Sequence, residues 1–407
     1  MQVCDDIKDS VRQAAMALAR VLTGILTRSL EAGDSSKSTA NSMLKEVLPF
    51  LLSPSGLESS AQEVQAFALR TLLQIIKSSN GKVLRPFIPD VVGRLLSLLS
   101  SLEPQEINYI HLNADKYGMT AQQIDDVRLT SVRSSPMMEA IERCLDMLDD
   151  TSMNELQPTL VQALRTTIGL PSKVGVSRVL VSLSTRHNYI FKPHADSLLR
   201  LLRKYVLDRN DTISTSFAVA SGYVARLASD GEILGLFAYC RKLYFDSGED
   251  ERHRTISGEI VFATAKHATD RFASLANEIL PFVFLAKHDP VERTKELFKN
   301  TWNENVGGAR AVLLYLKEIL AMASPHLDSP RWSIKHAAAF SISDVVRSVG
   351  PDISDSDAEM IWPALEKAIG GKTWDGKEEI LEAFVTFAKH SQLLKSNPQI
   401  ADRMKVH

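Results

Sequence analysis

The sequence is poor in cysteine, has no long apolar run and shows no surplus of either charge. Its three cysteines, Cys4, Cys144 and Cys240, are isolated and odd in number, so they supply neither a disulfide framework nor a metal-ligand spacing. Such usage suits reduced thiols in the cytoplasm or nucleus, and a cytoplasmic and nuclear location is expected. The most apolar stretches, such as Ile279 to Leu285, are far too short to span a bilayer. Asp5 and Asp6 stand where a secretory leader needs basic residues followed by an apolar run. With 47 Lys and Arg against 49 Asp and Glu, the chain lacks the basic excess that phosphate binding demands. It lacks a polybasic membrane anchor for the same reason. No segment alternates with period two for long enough to claim a strand.

What is present is helical periodicity. At 407 residues the chain exceeds the roughly 100–200 residues of one compact domain, so it is either several domains or one repeat array. Apolar residues recur at three- and four-residue spacing in nearly every segment between turn signals, the mark of amphipathic helices. Ile7, Val11, Ala14, Ala15, Leu18, Val21 and Leu22 are expected to line the core face of the first helix. Leu44, Val47, Leu48 and Leu51 do so in the next. The expected fold is all-α.

A fixed period decides the architecture. Helix-opening positions fall at Ser172, Asp211, Asp250, Asp289 and Asp328, each step being 39 residues. Four of the five are Asp, which caps helix N-termini and suits their positive end. Five residues after each opener stands a small hydroxyl residue: Ser177, Ser216, Thr255, Thr294 and Ser333. At that place a small side chain would let the helices of a pair approach closely. A second apolar helix follows in each unit, as in Phe191 to Leu207, Ile233 to Phe245, Phe272 to Leu285 and Val312 to Met322. Two helices in about 40 residues match the HEAT or armadillo repeat length. The Asp followed by Val-Arg at Asp6 to Val11-Arg12 favours HEAT. The expectation is an α-solenoid, an ARM/HEAT-like superhelix of antiparallel helix pairs.

The organisation expected is HEAT repeats over 1–102 with a polar loop at 31–42, a charged insertion or linker over 103–135, and HEAT repeats with the 39-residue period over 136–392. Residues 393–407 read as the start of a further, truncated repeat, so the chain is expected to be a segment of a longer one. The insertion contains Tyr109, Tyr117 and a short helix near Thr120 to Ser131. It is either a solvated excursion or a partner-docking element.

No constellation supports catalysis, and no catalytic, cofactor-binding or metal-ligating residue is assigned. Gly371-Lys372-Thr373 ends like a phosphate-binding loop, but Glu366 stands where the motif needs a Gly, and a helix over Ile361 to Ile369 replaces the required strand. The ten histidines lack ligand spacing. Cys240 has basic neighbours, Arg241 and Lys242, but adjacent helical residues point different ways, and a buried structural thiol is the simpler reading. Trp302, Trp332, Trp362 and Trp374 read mostly as packing between repeats. Arg200, Arg203 and Lys204 read as a solvated helix face, or as an inner face meeting an acidic partner.

From residue 134 onward the sequence resembles the very large HEAT-repeat proteasome adaptor and scaffold proteins of the Ecm type. The resemblance rests on Ser134-Ser135-Pro136-Met137-Met138-Glu139, Gly169-Leu170-Pro171-Ser172-Lys173-Val174-Gly175 and Leu207-Asp208-Arg209-Asn210. It continues through Gly222-Tyr223-Val224-Ala225-Arg226 and Trp302-Asn303-Glu304 to Gly371-Lys372-Thr373-Trp374-Asp375-Gly376-Lys377-Glu378-Glu379. Asp5-Asp6-Ile7-Lys8 through Val11-Arg12 also fits. The resemblance implies a stretch from the C-terminal half of such a protein, with no catalytic residues to carry over. It implies a non-catalytic scaffold binding the proteasome core and regulatory particles, tethering them and contributing to assembly quality control. No nucleic acid, membrane insertion, cofactor or small-molecule substrate is expected. The alternative keeps the fold and changes the cargo, to that of a nuclear transport receptor or a phosphatase scaffold.

Overall fold

Among the described residues of the computed structural model every regular element is a helix. Those residues are 2–404 apart from 33–36, 102–108, 111, 247–249, 307–309, 351–352, 371–373 and 392–397. The fold is all-α and of the solenoid class, built from helix pairs that stack in chain order. The chain divides into two compact units, Met1–Leu201 with Asp208–Ala220 and Leu202–Leu207 with Ser221–His407.

In the first unit α1 (Asp9–Glu31) packs on α2 (Lys37–Leu52) and α3 (Gln62–Ser78). Its buried face is Met16, Ala19, Thr23, Leu26 and Leu30. That differs from the expected face. Ile7, Leu18, Val21 and Leu22 are exposed, Ile7 almost wholly, because α1 is apolar along two stripes and periodicity alone does not say which one a neighbour covers. The polar loop expected at 31–42 is also shorter. α1 runs to Glu31 and α2 begins at Lys37, where burial of Ala40 and Leu44 holds a Ser- and Thr-rich first turn helical. Residues 33–36 lie outside the described residues.

The next helix, α4 (Ile88–Ser101), is buried on several sides through Ile88, Val91, Val92, Leu95, Leu96, Leu98 and Leu99. Each such side chain contributes about 1.5–3 kcal/mol by leaving water. After the insertion helix α5 (Ala121–Arg133) come α6 (Pro136–Leu145), α7 (Asp150–Thr166) and α8 (Leu170–Arg186). All of α6, α7 and α8 touch α4, so α8 reaches past the α6/α7 pair to a helix of the pair before it. The reason lies in the run from Gly169 to Gly175. Ser172 and Ser100 exchange two bonds, Ser172 N–H to Ser100 Oγ at 3.0 Å and Ser100 N–H to Ser172 Oγ at 3.1 Å. A Cβ on Gly169, at φ 86°, would sit 2.5 Å from Ser100 Oγ, and one on Gly175 2.4 Å from Leu99. Glycine is required at both places.

α9 (Asn188–Leu202) and α10 (Asp211–Ala225) follow. In the second unit, first helices α12 (Glu251–His267), α14 (Glu292–Asn305), α16 (Trp332–Val349) and α18 (Lys377–His390) alternate with second helices α11 (Asp230–Asp246), α13 (Ala276–Ala286), α15 (Leu316–Ala323) and α17 (Asp355–Ile369). Two of the expected second helices are broken, at Leu275 and Tyr315. The first helix of one pair packs on the first helix of the next, as α12 does on α14 and α16 on α18. α13 is buried from Ile279 to Ala286, and the rings of Tyr244, Phe282 and Phe298 meet edge to face at 5.2–5.8 Å.

The 39-residue period has a physical basis that differs from the expected one. Asp250 is the N-cap of α12, accepting from Arg252 N–H at 2.9 Å. Asp211 also opens its helix, as the first residue of α10, whereas Ser172 lies inside α8 and Asp289 and Asp328 stand three and four residues ahead of their helices. What stays in register is the hydroxyl. Ser177 Oγ bonds Ser216 Oγ, and Thr255 Oγ1 bonds Thr294 Oγ1 at 2.8 Å. The small residues therefore sit between the first helices of successive repeats, not between the two helices of one pair.

Candidate interaction surface

Each chemically suggestive group is engaged in packing. Cys240 is fully buried, and burial pushes its thiol up to about 12 despite the lowering influence of Arg203 and Arg241. Cys144 is pushed to about 12 in the same way, so neither thiol ionises near neutrality. Gly371, Lys372 and Thr373 lie outside the described residues. Around them α17 ends at Ile369 and α18 begins at Lys377, so a helix precedes the segment. Trp374 then packs 6.2 Å from His336 and 6.4 Å from Phe340. Gly376, at φ 97°, brings its backbone against the Phe340 ring. Trp374 and Gly376 thus pack the start of α18 against α16.

Several histidines are likewise occupied. His267 stacks on Tyr223 at 4.0 Å and His326 on Phe245 at 4.2 Å. His288 Nε2 and Lys287 Nζ both reach Asp344 Oδ2, at 3.1 and 2.7 Å. Burial alone would raise the Asp344 carboxyl, but the His288 bond and charge, with Lys287, hold it well below the usual carboxylate range. Among the described residues no group of three or more His, Cys, Asp or Glu could hold a metal, and no helix is long and apolar enough to cross a membrane. Trp302 and Trp362 are buried, whereas Trp332 is 47% exposed. Arg203 donates to the Glu232 carbonyl at 2.6 Å and to its carboxylate at 2.9 Å, which ties it within its own unit.

Two polar features had no signal in the sequence. Arg254 and Asp289 form a buried ion pair, Nε to Oδ2 at 2.8 Å with side chains 2% and 0% exposed. Asp289 also accepts from Val291 N–H at 2.9 Å. The second is the anchoring of the insertion. α5 packs on α8, burying Ile124 and Val132. Its N-terminus carries a capping box between Thr120 and Gln123. Asp125, itself buried, accepts from Asn210 Nδ2 at 2.8 Å and Thr212 Oγ1 at 3.1 Å. The downstream half of the insertion is therefore a fixed part of the first unit. Upstream, Tyr109, Leu112 and Tyr117 are exposed.

α6 and α8 lie side by side in one direction. Glu142 accepts from Ser182 Oγ at 2.8 Å and from Arg186, while Asp146, one turn on, meets Arg186 at 3.3 Å and His187 at 3.3 Å. Side chains of successive first helices are thus laced across the outer faces of the repeats, and Arg293 with Glu259 and Arg347 with Glu379 repeat the device. What the described residues present is a set of helix faces stacked in chain order. That is the class of HEAT-type helical repeat protein, whose working parts are its surfaces.

Residues 84–245 match the HEAT-repeat domain of the proteasome adapter and scaffold protein ECM29. The chain is 33% identical over 404 residues to "Proteasome component ECM29" of Saccharomyces cerevisiae, covering 98% of this chain and 21% of the relative. It is 33% identical over 407 residues to "Proteasome adapter and scaffold protein ECM29" of Homo sapiens, covering 98% of this chain and 22% of the relative. Residues 84–245 belong to the ECM29 HEAT-repeat family, and the similarity to its members runs over nearly the whole chain. It spans about a fifth of the length of these curated relatives.

Proposed function

We propose that this chain is part of a non-catalytic scaffold that binds the proteasome in the cytoplasm and nucleus. The scaffold tethers the core particle to the regulatory particle and contributes to quality control of their assembly. The observation that carries the reading is the similarity over 98% of the chain to proteins named as proteasome component, adapter and scaffold. The side chains support it, since Cys144 and Cys240 are buried, several histidines stack or pair across helices, and Arg254 with Asp289 joins two of them. A stack of repeats, each resting on its neighbours, offers extended surfaces to more than one partner.

The test is affinity purification of the full-length parent protein, followed by identification of what is retained. Subunits of both proteasome particles are expected, and deletion of the parent should reduce the fraction of core particle carrying a regulatory particle. Recovery of neither particle would sink the reading. The non-catalytic part is tested by calorimetry with ATP and GTP: micromolar binding abolished by Lys372→Ala would overturn it.

A further inference from the structure

The docking of the insertion helix places Arg133 near Arg178, and among the described residues neither makes an ion pair. Arg133 is the last residue of α5 and is exposed. Arg178 lies on α8 one turn before Ser182, on the face that meets α6. Since Ser182 and Arg186 engage Glu142, and α6 and α8 run in the same direction, Arg178 falls beside the first turns of α6. Arg133 stands just ahead of that helix. Neither guanidinium meets a carboxylate at ion-pair distance among the described residues, and Arg178 Nε is buried without an acceptor. Burial weighs most against the Arg178 charge, Glu142 favours it and Arg133 opposes it. Glu142 is already taken by Arg186 and Ser182.

A partly buried guanidinium beside a second, exposed cation is unfavourable unless an anion neutralises it. A guanidinium accepts a carboxylate through two parallel bonds. We propose that Arg133 and Arg178 form a docking site for an acidic segment of a protein partner, whose carboxylates supply the missing counter-charge. The insertion then has a defined role: it carries Arg133 to Arg178, and its Asp125 anchor fixes the spacing. A protein partner is favoured over nucleic acid because the chain as a whole has a net charge of −2, without the broad basic face that a phosphate backbone requires. The site deepens the scaffold reading and rests on it for its biological partner, though not for its chemistry.

The test uses the 407-residue chain, a fluorescein-labelled poly-glutamate peptide and fluorescence anisotropy at low salt. Arg133→Ala with Arg178→Ala should weaken binding about tenfold or more, as two charge-assisted contacts are lost. Arg226→Ala, an exposed arginine elsewhere, should leave it within about twofold. The Gln substitutions at 133 and 178 keep the side-chain stems and replace the Ala pair should the latter melt early. Unchanged affinity in the double variant overturns the proposal. So does tighter binding of a labelled single-stranded oligonucleotide with the same arginine dependence. Failure here is distinct from failure of the scaffold reading: the parent protein would still retain proteasomes while the peptide ignores both arginines. The converse result would spare the site and remove the proteasome.

Discussion

The buried pair Arg254–Asp289 makes a sharp test of how the repeats are joined. Its two charges are 2.8 Å apart and essentially out of solvent, in a region where the Tyr244, Phe282 and Phe298 rings leave no room for bulk water. Breaking such a pair by removing one partner costs about 3–5 kcal/mol, because the other charge stays buried and unpaired. Replacing both by apolar residues of similar volume is roughly neutral or stabilising. Arg254→Met should therefore be severe, Asp289→Leu equally so, and Arg254→Met with Asp289→Leu mild. The singles should differ in pH dependence. Burial already raises the Asp289 carboxyl against the lowering influence of Arg254, and without Arg254 it rises further. A carboxyl whose folded pKa lies above its unfolded value of about 3.9 contributes stability below that value and loses it as pH rises through the folded one. The Arg254→Met deficit should thus shrink in acid. The Asp289→Leu deficit should not, since a guanidinium cannot shed its proton. Hydrogen exchange of α12 and α14 peptides reads the effect locally. A loss of about 3–5 kcal/mol accelerates exchange by roughly two to four powers of ten at about 1.4 kcal/mol per decade. Single variants costing less than about 1 kcal/mol, or a double variant as damaged as its parents, would refute the reasoning.

Other joints make further predictions. Thr294→Val should cost about 1 kcal/mol or less in urea unfolding, because the Thr255 hydroxyl loses one bond and keeps its bond to the Glu251 carbonyl, and Thr255→Val with Thr294→Val should cost less than the sum of the singles. Asp125→Ala should undock the insertion helix, and amides of 121–133 should then exchange ahead of those in α8. Gly376→Ala should cost about 1–3 kcal/mol, since φ 97° is strained for alanine and the Phe340 ring lies 3.0 Å from the new methyl. Burial first, with His288's charge, pushes His336 down to about 4. Its neutral form therefore contributes stability above about pH 6.5 that is lost as pH falls from there to about 4. After solvent screening this amounts to about 1–2 kcal/mol, and His336→Phe should flatten the urea midpoint across that window.

The helical class, the repeat length and the hydroxyl register were all legible in the sequence, because a 3.6-residue stripe and a fixed period survive any tertiary context. What stayed hidden depended on partners distant in the chain. Asp289 looks like a helix cap, and one of its oxygens does serve a nearby amide, but its other oxygen answers Arg254, 35 residues earlier. Nothing local marks Asp125 as an anchor, since Asn210 and Thr212 lie beyond four intervening helices. α1 shows the limit of amphipathic patterns. It carries two apolar stripes, and only the structure tells the covered one from the open one. Trp374 and Gly376 show the reverse: next to three letters that suggest phosphate chemistry, the described residues pack on His336 and Phe340.

The position of α4 has a consequence for synthesis. Its bond partners at Ser172 lie 72 residues downstream, and α8, which helps cover it, is finished only at Arg186. During translation at roughly 5–20 residues per second, a largely apolar helix therefore waits on the order of 4–15 seconds before its last neighbour arrives. In that interval the nascent chain is a substrate for holding chaperones, and slow codons between 102 and 170 would lengthen its exposure.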